Sequence, residues 1–205
     1  MSMKHLFLTS SGLTIDMKKS FFDIIGKSPE EVKVLYIPTA GIETDGAREG
    51  FAVCFHELSS MGIRYENILV YNLELILSKD YMRTYSSFVS TPYMITRLLT
   101  IEELRSFDAV VVSGGDATVL CREMVRTGFD KAVAQAINDG LVYIGISAGS
   151  IYAAGNLEDG LHIINNSIIP HWNGVKKSKT PNCRETIMLA DGQAIYIEDD
   201  SVSII

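Results

Sequence analysis

Hydrophobic residues occur along this chain in short continuous runs that alternate with amphipathic stretches. The runs are rich in β-branched residues and are bounded by turn-forming residues, which is typical of strands buried on both faces. We predict such strands at 5–9, 32–37, 68–71, 109–113 and 141–146. Between them, apolar positions at helical spacing predict helices at 14–25, 44–61, 117–126 and 131–138.

The alternation of strand and helix predicts an α/β fold. It favours a doubly wound, largely parallel sheet with right-handed crossovers and helices on both faces. Segment 76–106 is long for a plain crossover, and we interpret it as packing helices or as a lid over the site. After Gly160 the pattern predicts a β-rich C-terminal edge with a turn at Asp191-Gly192 and short strands at 162–164, 167–169, 185–190, 194–197 and 201–204.

Composition narrows the class of protein. The 205 residues are 47% hydrophobic and 21% charged, which fits one globular domain over 1–205. A formal net charge of -7 would repel a phosphate backbone, so we expect no nucleic-acid partner. Three cysteines without a C-x-x-C pair favour a reducing, cytoplasmic location. No run of 18 apolar residues predicts a membrane span, and both a monomer and a homodimer remain open.

The clearest chemical motif follows the strand at 141–146. That strand leads into Gly145-Ile146-Ser147-Ala148-Gly149 and then into a helix-compatible stretch, which is the context of a nucleophile elbow. Small residues two places before and after the serine let strand and helix approach closely. We therefore predict Ser147 as a nucleophile and the amide of Ala148 as an oxyanion donor. The alternative is a glycine-rich turn without catalytic function.

A second glycine loop follows the strand at 109–113. Loops at the carboxyl ends of parallel strands gather on one edge of the sheet, so Gly114, Gly115 and Asp116 can face Ser147. We expect Gly115 to supply the second oxyanion amide, and Gly114 and Asp116 to contact the substrate. A phosphate-binding loop is the weaker alternative, because neither G-x-G-x-x-G nor Gly-Lys-Ser/Thr is present.

A serine nucleophile needs a general base, and the chain has four histidines. His171 follows an apolar run and Pro170, so it is held where a strand passes into a loop. His5, His56 and His162 lie within predicted strands or a helix and are interpreted as structural. We predict His171 as the base.

Three motifs in order carry a family resemblance. Ser-Gly-Gly-Asp-Ala-Thr at 113–118, Gly-Ile-Ser-Ala-Gly-Ser at 145–150 and Ile-Ile-Pro-His-Trp-Asn at 168–173 resemble the peptidase E family. That family includes the aspartyl dipeptidases and is related to cyanophycinases. The resemblance implies a fold like that of class I glutamine amidotransferases with serine replacing cysteine. It also implies hydrolysis of short peptides without cofactor or metal, after an N-terminal aspartate in characterised members.

Two departures from the family pattern affect the expected site. The family's glycine loop usually reads Gly-Gly-Asn-Thr, whereas Asp116 and Ala117 stand here, and an unpaired carboxylate would repel an acidic substrate. The segment 151–170 is also shorter than usual, and it often brings the carboxylate of the triad. We favour Glu158 for that carboxylate, and the alternatives are Asp159, Glu198, Asp199 and Asp200.

Two other functions stay open at this stage. The site could hydrolyse another small amide or an ester. Alternatively, the chain could be a non-catalytic binding relative in which the altered loop and the shortened segment have cost it a working triad.

Overall fold

The structure, a computed structural model, describes residues 3–42, 44–76, 95–174, 185–199 and 201–205. Its helices are α1 (Ile15–Ile25), α2 (Ala47–Ser60), α3 (Ile101–Leu104), α4 (Ala117–Thr127), α5 (Phe129–Asn138) and α6 (Ala148–Ala153). Its strands are β1 (His5–Thr9), β2 (Val34–Ile37), β3 (Ile68–Val70), β4 (Ala109–Val112), β5 (Val142–Ile146), β6 (Ser167–Ile169), β7 (Thr186–Met188), β8 (Ala194–Glu198) and β9 (Ser201–Ile204).

Seven strands form the main sheet in the order β3-β2-β4-β5-β1-β8-β9. The first five pair in parallel, whereas β8 runs antiparallel to β1 and β9 antiparallel to β8. All residues of β2, β4 and β5 are buried, which explains their continuous apolar sequences. The predicted α/β fold with a largely parallel sheet is confirmed.

The sheet has an apolar layer on each face. On one face, side chains such as Leu8 and Tyr143 pack with residues of α3, α4, α5 and α6. On the other face, Phe7, Tyr36 and Ile144 pack with residues of α1 and α2. Helices therefore cover both faces, as the sequence pattern predicts.

The C-terminal part contains the predicted strands with one exception. The strand predicted at 162–164 is wrong: His162 has a left-handed backbone with φ 49°, and the segment forms bends. The pair β6 and β7 forms a separate two-stranded parallel sheet. Of the long segment 76–106, residues 77–94 lie outside the described residues. The lid or packing helices expected there therefore stay a prediction.

Strand order decides which loops meet. Because β4, β5 and β1 are parallel neighbours, Ser113, Ser147 and Ser10 follow them at the same edge of the sheet. In the antiparallel partner β8, Ala194 pairs with Thr9, so the residues that enter β8 lie at that edge too. In the described part of the chain, no helix is both long enough and apolar enough to span a membrane.

Candidate active site

Ser147 occupies a sharp turn between β5 and α6. Its backbone has φ 47° and ψ -99°, a conformation that L-residues rarely adopt and that stores strain. Its N–H donates to the carbonyl of Thr9, at an N···O distance of 3.0 Å. This hydrogen bond fixes the turn to the end of β1.

The glycines on either side of Ser147 are required by close packing. A Cβ on Gly145 would lie 2.6 Å from the carbonyl carbon of Gly149, and a Cβ on Gly149 would lie 2.4 Å from the carbonyl oxygen of Val112. Both distances are shorter than real carbon contacts. The spacing expected from the sequence therefore reflects contact between strand and helix.

Buried hydrogen bonds hold this turn in place. Ser150 Oγ lies 2.8 Å from the carbonyl oxygen of Thr9 and 2.7 Å from that of Gly145. Tyr143 Oη donates to the carbonyl of Gly149 at 2.8 Å. Ser150 and Tyr143 are fully buried, so these bonds fix the start of α6 to β1 and β5 without competition from water.

His171 lies two residues after β6 and contacts Ser147. His171 Nε2 is 3.0 Å from Ser147 Oγ, and His171 Nδ1 is 2.7 Å from Asp191 Oδ1. A carboxylate can only accept, so Nδ1 carries a proton and Nε2 is left as an acceptor for the serine hydroxyl. The three side chains form one hydrogen-bonded chain.

The carboxylate that contacts His171 is Asp191. The prediction of Glu158 as the carboxylate of the triad is therefore wrong. Asp191 lies in the turn before β8, and the pairing of β8 with β1 brings that turn to Ser147. Glu158 lies in the turns after α6, where its carbonyl oxygen accepts a hydrogen bond from His162 Nε2 at 2.8 Å. It makes no contact with His171 among the described residues.

The other carboxylates considered are also elsewhere. Glu198 pairs with His5 at the opposite end of β1, and Asp199 accepts a hydrogen bond there from the Lys4 amide at 2.9 Å. The carbonyl oxygen of Asp159 accepts from the thiol of Cys121 at 3.3 Å. Asp200 lies outside the described residues.

Ser10 forms hydrogen bonds with both Asp191 and His171. Its buried hydroxyl donates to Asp191 Oδ1 at 2.9 Å and accepts from the backbone N–H of His171 at 2.7 Å. Hydrogen bonds from Ser10 and then from His171 lower the pKa of Asp191 below its usual value. Sequence reasoning missed both Ser10 and Asp191; their only signal was a serine after the first strand and an acidic turn between two strands.

The glycine loop after β4 faces Ser147, as expected. A Cβ on Gly114 would lie 3.4 Å from Ser147 Cβ. Gly115 has φ 134°, and a Cβ there would lie 2.0 Å from the carbonyl oxygen of Ala40, so no other residue fits. Both residues border the same cavity as Ser147.

Asp116 does not take the position expected for a substrate contact. It is the N-cap of α4, where its carboxylate accepts from the amides of Thr118 and Val119 at 2.7 and 3.2 Å. These hydrogen bonds lower the pKa of Asp116. The side chain is exposed and is not part of the cavity wall. The carboxylate stays charged, but it is bound to the helix amides and lies outside the cavity wall, so we do not expect it to contact a substrate in the cavity.

A cavity of about 320 Å³ adjoins Ser147 and His171. It extends between α2 and the sheet, and its wall includes Tyr36, Cys54 and Glu57. Among the described residues, no group of three or more His, Cys, Asp or Glu side chains could hold a metal ion.

A serine, a histidine and an aspartate joined by two hydrogen bonds form the side-chain geometry of a serine hydrolase triad. The family model described as peptidase family S51 matches residues 94–205, which is more than half of the chain and includes all three of these residues. The chain belongs to peptidase family S51.

Solved structures agree with the fold. A protein from Listeria monocytogenes EGD-e, provisionally assigned to peptidase E, matches with a TM-score of 0.66 and 25% identity, covering 100% of this chain and 98% of that one. A peptidase from an acI-B1 Actinobacterium matches with a TM-score of 0.68 at 17% identity, covering 99% of this chain and 87% of that one. The second likeness is one of fold alone.

The relatives found by sequence match a smaller part of this chain than the solved structures do. An uncharacterized peptidase of Listeria monocytogenes is 32% identical over 88 residues, which are 35% of this chain and 43% of that relative. This chain therefore spans less than half the length of the curated relatives it matches by sequence.

The geometry predicts that Ser10→Ala raises the pKa of Asp191. The hydroxyl donates to the ionised carboxylate, so its loss removes a group that favours ionisation. The hydrogen bonds to the ionised Asp191 carboxylate also stabilise the folded protein. Because they lower the pKa of Asp191, this stabilisation is fully present above the usual Asp pKa and is lost as pH falls through the lowered value. Carboxyl ¹³C NMR titration measures the shift. Ser20→Ala, which removes an exposed hydroxyl in α1, is the control, and an unchanged or lower Asp191 pKa in Ser10→Ala would contradict the prediction.

Proposed function

We propose that this chain is a serine peptidase that hydrolyses short peptides, with Ser147 as nucleophile, His171 as general base and Asp191 as the carboxylate that orients the base. The observation that supports the proposal most strongly is the pair of hydrogen bonds at 3.0 and 2.7 Å that joins these residues. Membership of peptidase family S51 supports the reaction type. The presence of all three side chains in one hydrogen-bonded chain favours this proposal over a relative with a degraded triad.

The mechanism follows from the protonation state of His171. Its Nδ1–H donates to Asp191, so Nε2 accepts the proton of Ser147 Oγ while that oxygen attacks the scissile carbonyl. The imidazolium then gives the proton to the leaving amine. A water molecule, activated by the same Nε2, hydrolyses the acyl-enzyme and restores Ser147.

The developing oxyanion needs preorganised donors. We propose the amides of Gly115 and Ala148, which border Ser147 from the glycine loop and from the first turn of α6. The first turn of a helix leaves its amides without carbonyl partners inside the helix. Removing one such donor costs roughly 3 kcal/mol of transition-state stabilisation in comparable sites.

The size of the cavity favours small substrates. Its volume of about 320 Å³ lies near the lower end of ligand pockets, which hold about 300–1,000 Å³. A short peptide fits such a space better than a folded protein. The free cysteines Cys54 and Cys121 are consistent with the cytoplasmic location predicted from the sequence.

The proposal predicts that a fluorophosphonate labels Ser147. The reagent reacts with a serine whose hydroxyl is activated by a base, and His171 Nε2 is within hydrogen-bonding distance of Ser147 Oγ. Mass spectrometry should find one adduct, on the peptide containing Ser147, and none in Ser147→Ala. Ser150→Ala is not a suitable control because Ser150 anchors the turn, so Ser60→Ala, at the exposed end of α2, serves instead. An unlabelled Ser147 in folded protein would contradict the proposal.

The assignment of the carboxylate has a separate test. Asp191→Asn would favour the wrong tautomer of His171, and we expect kcat on a susceptible peptide to fall by about 10²–10⁴-fold. Glu158→Gln is the matched control and should keep kcat within about twofold, because this residue makes no contact with His171 among the described residues. A loss of activity in Glu158→Gln with little change in Asp191→Asn would reverse the assignment.

A further inference from the structure

The three residues of the proposed triad are carried by two different sheets. Ser147 follows β5 and Asp191 precedes β8, and both of these strands belong to the main sheet. His171 follows β6, which belongs to the small sheet formed by β6 and β7. The backbone after His171 is bound to that small sheet, since the N–H of Trp172 donates to the carbonyl of Leu189 at 2.9 Å. The alignment of the triad therefore requires that the two sheets hold a fixed position relative to each other at this point.

The side chain of Ser10 forms a bond between the two sheets at this point. Ser10 follows β1 of the main sheet and is fully buried. Its hydroxyl has one proton, which it donates to Asp191 Oδ1 at 2.9 Å because a carboxylate can only accept. The same oxygen accepts the backbone N–H of His171 at 2.7 Å. The donor role of the hydroxyl thus serves the carboxylate, and its acceptor role serves the base.

The contact between His171 and Asp191 needs such support. Their side chains are 52% and 63% exposed, and an exposed pair of this kind contributes little to holding either partner in place. His171 also has φ 55°, a conformation that persists only where neighbouring contacts hold it. The bond from Ser10 acts on the backbone of this strained residue. A buried hydroxyl that binds both residues can supply the order that the exposed pair does not supply alone.

We propose that Ser10 is a positioning residue of the triad: its hydroxyl fixes the small sheet, which carries His171, against the edge of the main sheet that carries Ser147 and Asp191. The inference rests on the proposed peptidase function and adds a fourth residue to it. Ser10 acts through His171 and Asp191, so its loss should slow the activation of Ser147 and leave substrate binding almost unchanged.

The variant Ser10→Ala removes the hydroxyl but keeps the backbone contacts of the same residue. The N–H of Ser10 donates to the carbonyl of Gln193 at 3.1 Å. The N–H of Gln193 donates to the carbonyl of Ala190, also at 3.1 Å, and so closes the turn that contains Asp191. Neither bond involves the hydroxyl, so the turn should persist in the variant. Ser10→Ala therefore tests the orientation of the side chains rather than the formation of the turn.

The rate of fluorophosphonate labelling measures the activation of Ser147 without a known substrate. We expect the second-order rate constant of labelling to be at least tenfold lower in Ser10→Ala than in the wild-type protein, because His171 is less often aligned with Ser147. With a susceptible peptide, kcat should fall by a similar factor, and KM should change less than threefold. An unchanged labelling rate in folded Ser10→Ala would overturn the inference, and so would a loss confined to KM.

Thr127→Val is the matched control. It also removes a fully buried hydroxyl, which donates to the carbonyl of Glu123 at 2.7 Å at the end of α4. Its loss should lower the free energy of unfolding but leave the labelling rate of Ser147 within about twofold of the wild-type value. If Thr127→Val slowed labelling as much as Ser10→Ala, the effect would come from general destabilisation, and the positioning role would be refuted.

Two further measurements distinguish positioning from a general structural role. In a double-mutant cycle, the effect of Ser10→Ala on the labelling rate should be at least threefold smaller in the Asp191→Ala background, because one of the two partners of the hydroxyl is gone. Imidazole ¹⁵N NMR should show a smaller fraction of the Nδ1–H tautomer of His171 in Ser10→Ala. Equal effects in both backgrounds or an unchanged tautomer would contradict the proposal.

The wild-type protein separates this inference from the proposed function. If wild-type Ser147 is not labelled, the proposed function itself fails. If it is labelled and Ser10→Ala is labelled equally fast, only the positioning role fails. Should Ser10→Ala not fold, amide hydrogen exchange of the wild-type protein decides. The His171 N–H should then exchange at least tenfold more slowly than in an unstructured peptide, and equally fast exchange would overturn the inference.

Discussion

β8 runs antiparallel to β1 on the side opposite β5, and this pairing joins three distant parts of the chain at one edge of the sheet. Ser10 follows β1, Ser147 follows β5 and Asp191 precedes β8, so the three side chains can meet around His171. Side chains alternate along a strand, so a one-residue change in the register of β8 would move Asp191 away from His171. The candidate triad thus depends on strand pairing as much as on its own residues.

Two of the residues that lie together at this edge of the sheet have unusual backbone conformations. Ser147 and His171 both have positive φ, at 47° and 55°. Such conformations persist only where surrounding contacts hold them, and each residue has such contacts. Ser150 and Thr9 hold the turn of Ser147, and the Ser10 hydroxyl holds the amide of His171. The same hydroxyl binds Asp191, so one buried serine positions both the base and its carboxylate.

The sequence alone predicted the features that depend on residues close together in the chain. The strands at 5–9 and 141–146 and the helix at 14–25 follow from apolar runs and spacing, and the glycines around Ser147 follow from close packing. Asp191 was not predicted as a partner of His171, because that contact exists only after β8 pairs with β1. The cavity wall was missed for the same reason, since Tyr36 comes from β2 whereas Cys54 and Glu57 come from α2. The strand predicted at 162–164 failed because two apolar residues in a short run do not determine backbone conformation.

A crystal structure of the fluorophosphonate-treated protein tests the central claim most directly. We predict a bond between phosphorus and Ser147 Oγ, the phosphoryl oxygen within about 3 Å of the amides of Gly115 and Ala148, and the His171 ring hydrogen-bonded to Asp191. Phosphorus bound to another residue would contradict the account, and so would a phosphoryl oxygen directed away from both amides or a His171 ring paired with a different carboxylate.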